Sequence, residues 1–290
     1  AGLKKKFYAK PVLVALVLVA ALAAYVATKF VFFAYIVFLS MLALVALDFL
    51  SPSQKKQSLK DSAVEIGTSI ALALGAWFLL GFLLSTSTPL NVVTSCSMLP
   101  VLDRGDLIIL QGGGVIAPEV RFEQPLGSAA SQLAELIDSS GTFTSRVYMP
   151  YVNGVPLFTP VVSSCKRIYR DGVVESIQCV KETRFKNQVV SVDYANDIIV
   201  YDPAPSPYGL IIHRAFAKLI ARDASNARDE VYYLTKGDNN QVPDQLSGIG
   251  LVSENKVQGK VLLRVPYVGF LKLFLFLQFD EPKGCDYVTS

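Results

Sequence analysis

Histidine is nearly absent. The 290 residues contain one, His213, which excludes a zinc site built on several histidines. Cysteine is scarce as well. Cys96, Cys165, Cys179 and Cys285 form no C-x-x-C pair and no His/Cys cluster, so no metal or other cofactor is expected. Charge is sparse too: 18% of residues are charged and the net charge is +3. No Arg/Lys stripe is interleaved with aromatics, so nucleic acid is not an expected partner.

What the chain has in excess is apolar surface. Hydrophobic residues make up 52%, too many for an ordinary soluble domain. Three apolar runs fill the first third, at about 11–28, 30–50 and 66–84. Each approaches the ~20 residues that cross a bilayer core, and backbone in lipid must bond internally, so all three read as transmembrane helices. Ser62 and Glu65 offer a capping box for the third. Lys4, Lys5, Lys6 and Lys10 precede the first run, and Lys55, Lys56 and Lys60 lie between the second and third. Only Lys29 lies between the first and second. The positive-inside rule then puts the N-terminal side in the cytoplasm of a multi-pass cell-membrane protein, and everything after the third run outside. A cleaved signal peptide is an alternative for the first run, and it leaves the side faced by the remainder unchanged.

The expected division is a membrane anchor over 1–88 and an extracytoplasmic domain over 89–290. Short Val/Ile/Tyr-rich runs broken by Gly, Pro, Asn and Asp, such as "DLIILQ", "RVYMPYV", "DIIVYD" and "EVYYLTK", predict a mainly β fold. One helix is expected at 128–138, where Leu133, Leu136 and Ile137 share a face. Asp171-Gly172 signals a hairpin. Cys165 and Cys179 flank it almost symmetrically, which predicts a disulfide in an oxidising compartment. Cys96 and Cys285 carry no such argument, and Cys96 reads as a small filler. The run "VGFLKLFLFLQF" reads as a buried strand or an interfacial segment, with a fourth span as the alternative.

Three stretches carry chemistry. His213, in "GLIIHRAF", has the near-neutral pKa of a general base. Ser97, in "SCSMLP", sits where Pro100 bends the chain and could present its hydroxyl and its own amide at a cleft. Ser95, two residues back, points the same way in extended backbone and could help hold an oxyanion. "LTKGDNNQVPDQ" carries Asp238 and Asp244, either of which could orient the imidazole as in a Ser-His-Asp triad. The bland alternative is an Asx-rich turn.

Taken in order, "SMLPVLDRGD", "NDIIVYDPAPSPYGLIIHR", "TKGDNNQVPD" and "GKVLLRVPYVGFL" resemble the signal peptidase I family of archaea and the endoplasmic reticulum. The matched blocks cover about a third of the chain. The resemblance implies a serine endopeptidase that removes signal peptides from exported preproteins, with the lipid bilayer and the secretion translocon as further partners. It implies Ser97 as nucleophile and Ser95 as its oxyanion neighbour. His213 stands where bacterial relatives use lysine. The resemblance favours Asp244 as the triad acid, with Asp238 as a supporting residue that holds the loop.

The chain departs from the family's pattern at Cys96, usually a small residue such as glycine. It departs again at Asn196-Asp197, usually Gly-Asp, in its three spans, and in an inserted β subdomain at about 112–190. Two other readings stand beside it. A serine/lysine dyad would need a lysine in place of His213, and Lys218 is near but out of the motif. A catalytically inactive membrane-anchored module would bind peptides or a partner through the same fold.

Overall fold

The computed structural model describes residues 2–49, 59–138, 141–186, 188–203, 209–222, 229–282 and 284–289, with side chains from Lys10 and, after the second helix, from Asp61. Lys55, Lys56 and 204–208 of the second motif lie outside the described residues, as do the side chains of Lys4, Lys5, Lys6 and Lys60.

Three apolar helices come first: α1 (Gly2–Thr28), α2 (Val31–Phe49) and α3 (Leu59–Leu84). Each is long and apolar enough to cross a membrane. α1 and α2 form a hairpin. Lys29 takes a left-handed backbone (φ 54°), and its amide closes the end of α1 on the carbonyl of Tyr25. Ala21, Tyr25, Ala34 and Val37 are buried in the seam. α3 begins at least three residues before Ser62, so Ser62 lies inside the helix and does not cap it. Along Asp61–Leu84 nothing is buried within the chain, which leaves that surface free for lipid. At the far end α3 is docked on the β domain. The amide of Gly112 donates to the carbonyl of Leu84 at 2.8 Å, and a side chain at 112 would meet the Ser85 carbonyl oxygen at 1.9 Å.

The rest is mostly β. In chain order the strands are β1 (Leu90–Val92), β2 (Leu107–Gln111), β3 (Glu119–Phe122), β4 (Ala130–Ile137), β5 (Phe143–Val152), β6 (Val155–Pro156), β7 (Thr159–Ile168), β8 (Val174–Arg184), β9 (Val189–Ser191), β10 (Ile198–Tyr201), β11 (Ile211–Arg222), β12 (Asp229–Lys236), β13 (Val252–Ser253), β14 (Val257–Val265) and β15 (Tyr287–Thr289). A short helix, α4 (Gly269–Leu275), lies between β14 and β15. The main sheet runs β1-β2-β14-β10-β11-β12-β13, with β3 parallel to β11. β15-β7-β8-β9 and β4-β5-β6 make two smaller sheets. β10 is buried at every residue, as befits an apolar strand covered on both faces. Val93, Met98, Leu102, Ile108, Leu110, Ile198 and Val200 pack into one cluster that seats the segment after β1 against the sheet.

Four expectations are corrected. The segment 128–138 is a strand, not a helix: β4 pairs antiparallel with β5 from Ala130↔Tyr151 to Ile137↔Phe143. An isolated helix of this length is marginal in water, and a ladder against aromatic and β-branched partners outcompetes it. The apolar run near the end forms α4 in place of a strand. Phe270, Leu273 and Phe274 recur at helical spacing and are buried, and both phenylalanine rings meet Tyr25 of α1 edge-on, at 5.0 and 4.9 Å. The third correction is the displaced cap of α3. The fourth is Cys96, which is disulfide-bonded to Cys285 across 189 residues of sequence. The expected Cys165–Cys179 bond is present. It joins two rungs of the β7–β8 hairpin, Cys165↔Ile177 and Ser163↔Cys179, that lie either side of Ser164↔Gln178.

Candidate functional site

The nucleophile motif occupies the turn between β1 and β2. Gly105 and Asp106 close it for structural reasons. Gly105 has φ 90° and lies against Phe270, whose ring a side chain at 105 would meet at 2.4 Å. Asp106 is fully buried; one carboxylate oxygen accepts the Asp103 amide at 2.7 Å and lies 2.6 Å from Nε of Arg264. The same turn touches the helical hairpin: Arg104 donates to the Tyr25 hydroxyl at 3.1 Å and to the Gln278 carbonyl at 2.6 Å. Lys29 Nζ lies 3.9 Å from Asp103. The α1–α2 connection therefore sits beside the β domain.

β11 brings the lone histidine. His213 pairs with Ile199 of β10, and residues of one face alternate along a strand. His213 and Ala215 share a face. Across the ladder, Tyr201 lies two residues from Ile199, and Thr235 pairs with Ala215, so one face collects His213, Tyr201 and Thr235. The loop after β12 wraps under this face and places Asp244 at the start of a single 3-10 turn, Asp244–Ser247.

The result is a relay. Nε2 of His213 is 2.9 Å from the Ser97 hydroxyl. Nδ1 is 2.6 Å from Oδ2 of Asp244. The same Oδ2 accepts from Tyr201 at 2.8 Å and Thr235 at 2.6 Å. Asp244 is 2% exposed and His213 7%, so these charge-assisted bonds operate away from bulk water, where they are strong. Burial first, and the neighbouring Asp244 carboxylate second, push the Tyr201 phenol far above its ordinary range, so it stays a donor. Ser95 and Ser97 hydroxyls lie 3.2 Å apart. This is a serine-hydrolase-like triad in a membrane protein of several spans.

Asp238 goes elsewhere. Arg214 follows His213 and projects from the opposite face of the strand. Its Nε and Nη2 hold both Asp238 carboxylate oxygens, at 2.8 and 2.7 Å. Nη1 donates to the carbonyls of Tyr194 and Asn196. The loop 237–244 thus supplies one carboxylate to each of two adjacent strand residues. Beside the pair, burial draws Lys236 down to about 8, against the opposing pull of Asp238 and Asp244. Lys218 pairs with Glu119 at 3.1 Å, away from Ser97. Asp197, from the Asn-Asp pair, is structural: it accepts the Ile116 amide at 2.7 Å and Lys260 at 3.0 Å. A cavity of about 570 Å³ opens on the Arg214 face, lined by Pro100, Val101, Ile198, Tyr287 and Val288 among others; Ser97 is not part of its wall.

Tyr201, Thr235 and Arg214 were not singled out by sequence reasoning. For the first two the signal lies in pairing alone: side chains alternate between faces along a strand, and once the strands of "IIVYD" and "YYLTK" are registered both side chains fall on the histidine's face.

No family model matches the chain. Among curated proteins it is similar to an uncharacterized protein of Methanocaldococcus jannaschii, 27% identical over 198 residues, covering 64% of this chain and 82% of the relative.

Proposed function

We propose that the chain is a membrane-anchored serine endopeptidase of the signal peptidase I type, which cuts one peptide bond in membrane-inserted preproteins. The observation that carries this reading is the Ser97–His213–Asp244 relay, whose serine sits on a turn tied to the α1–α2 hairpin. His213 takes the proton of Ser97, and the alkoxide attacks the scissile carbonyl. The Ser97 amide, helped by the Ser95 hydroxyl, stabilises the oxyanion. Asp244 holds the imidazole tautomer and the cation that forms. The leaving amine collects the proton from His213, and water then hydrolyses the acyl-enzyme by the reverse proton path.

The 12 residues between Leu84 and Ser97 reach at most about 40 Å when extended, which keeps the site within range of a substrate held in the bilayer. The basic residues that flank the first two spans favour a cytoplasmic N-terminal side and an extracytoplasmic β domain. Two disulfides in that domain support the same sidedness. The family resemblance implies an extended substrate with small residues at P1 and P3, added as a strand to an exposed sheet edge.

The test uses detergent-solubilised full chain and a preprotein bearing an Ala-x-Ala site, with the cut mapped by mass spectrometry. Cleavage after that site, lost in Ser97→Ala, is the expected result. Binding without cleavage by the wild type would identify a peptide-binding module in its place.

A further inference from the structure

The Cys96–Cys285 disulfide and the polar residue beside it serve neither the proton relay nor the membrane anchor. Asn239 is 7% exposed and uses its backbone amide and both side-chain groups at one junction. Its backbone amide donates to the Ser97 carbonyl at 2.8 Å. Its Nδ2 donates to the Cys96 carbonyl at 3.1 Å and the Asp286 carbonyl at 2.7 Å. Its Oδ1 accepts the Val288 amide at 2.7 Å. Only one amide orientation satisfies all three side-chain contacts. Toward Asp286 and Val288 the side chain behaves as a neighbouring strand would, pairing the edge of β15 that β7 does not take. Gly237 makes room for this approach: a side chain there would meet the Ser97 carbonyl oxygen at 2.6 Å.

The Cys96 carbonyl and the Ser97 amide belong to one peptide unit. That unit is trans and planar, so its C=O and N–H point in opposite directions. Holding the carbonyl from one side therefore aims the N–H to the other. The disulfide fixes the Cα of the same residue 5.0 Å from that of Cys285, the residue that leads into β15.

We propose that Asn239, clamped by the disulfide-tethered strand β15, is a positioning residue that aims the Ser97 amide at the developing oxyanion. The idea rests on the function proposed above and adds to it a redox dependence. The inserted hairpin β7–β8 is the base of the clamp. It pairs with β15, packs Val288 against Cys165 and Cys179, and donates the Val180 amide to Gln241 in the acid loop. Reduction by a dithiol converts the Cys96–Cys285 bond to two thiols and the reductant to its own disulfide, and leaves β15 held by its hydrogen bonds and the packing of Val288.

The test combines steady-state peptide cleavage with amide exchange on the full chain. Removing an oxyanion donor outright costs about 10²–10³-fold in kcat, so misaiming one through Asn239→Ala is expected to cost about 10–100-fold. KM should change little, and binding of a peptide boronate should weaken in step with kcat. Asn239→Asp keeps the acceptor for Val288 but sets carboxylate oxygen against two carbonyls, and should lose at least as much. Cys285→Ser should lower kcat less, and only its wild-type parent should respond to dithiothreitol. A Cys165→Ser/Cys179→Ser variant that stays sensitive assigns the response to Cys96–Cys285.

Unchanged kcat in both Asn239 variants, or losses that track only the unfolded fraction, would overturn the idea. If the wild type does not cleave, the peptidase reading fails. Exchange at Leu99, Asn239 and Val288 then judges the clamp: faster exchange in Cys285→Ser supports it and unchanged exchange refutes it.

Discussion

Replacing each loop aspartate by asparagine should produce two different defects, because the two carboxylates answer to different partners. In Asp244→Asn the group that replaces Oδ2 faces three donors, His213 Nδ1, Tyr201 and Thr235. If the amide oxygen faces them, the geometry survives but the charge that stabilises the imidazolium is gone. If the NH₂ faces them, donors meet donors and His213 is driven to the tautomer whose Nε2 cannot accept the Ser97 proton. Either outcome should lower kcat by about 10³–10⁴-fold, or roughly 4–5 kcal/mol of transition-state stabilisation. The fold should be affected less.

Asp238→Asn instead leaves the Arg214 guanidinium, 6% exposed, without its counter-charge. Breaking a buried pair from one side costs about 3–5 kcal/mol of stability, which for a domain of this size lowers Tm by roughly 10 °C. Turnover per folded molecule should fall far less than in the Asp244 variant. The assay is kcat on a preprotein peptide alongside a thermal melt of each variant in the same detergent. Asp244→Asn cleaving at the wild-type rate, or Asp238→Asn losing turnover while keeping its Tm, would refute this division of roles.

Three further outcomes are expected. Tyr201→Phe removes one of the donors to the Asp244 carboxylate without opening a cavity, and should reduce kcat about tenfold in a turnover assay, the effect of a charge-assisted bond worth ~1.5 kcal/mol. Lys236 has its folded pKa drawn down to about 8 by burial, so above that pH the unfolded chain binds more protons than the folded one. Stability should rise from about pH 8 toward the unfolded pKa near 10.4 and be lost as pH falls back through 8. The amplitude is on the order of 3 kcal/mol, and chemical denaturation of Lys236→Met should lack this slope. Gly105→Ala places a methyl 2.4 Å from the Phe270 ring at a φ of 90°, and should lower Tm by several degrees while disturbing the contact between the nucleophile turn and α4.

The chemical part of the molecule was more legible than its packing. Ser97, His213 and Asp244 sit in short motifs whose residue types announce a role, and the three are brought together at hydrogen-bonding distance. The apolar helices were legible because a bilayer imposes length and composition together. What escaped reading depended on partners remote in sequence. The segment 128–138 carries apolar residues compatible with a helix, and only β5 across the turn decides for a strand. The Cys96–Cys285 bond joins residues separated by most of the β domain, so no local spacing could suggest it. The run that forms α4 reads as a buried strand or an interfacial segment because it is apolar and too short to span a bilayer, and its helical period acquires meaning only against Tyr25. Arg214 carries no motif signal of its own, and only strand alternation sends it to the opposite face and to the other aspartate.

The most direct measurement of the central claim is the single-turnover rate of preprotein cleavage by His213→Ala, with Ser97→Ala as the blank. A Ser97 hydroxyl that depends on the imidazole 2.9 Å away predicts a loss of about 10³-fold or more, with both variants folded by thermal melt. Cleavage by His213→Ala at the wild-type rate, at the same bond, would contradict it.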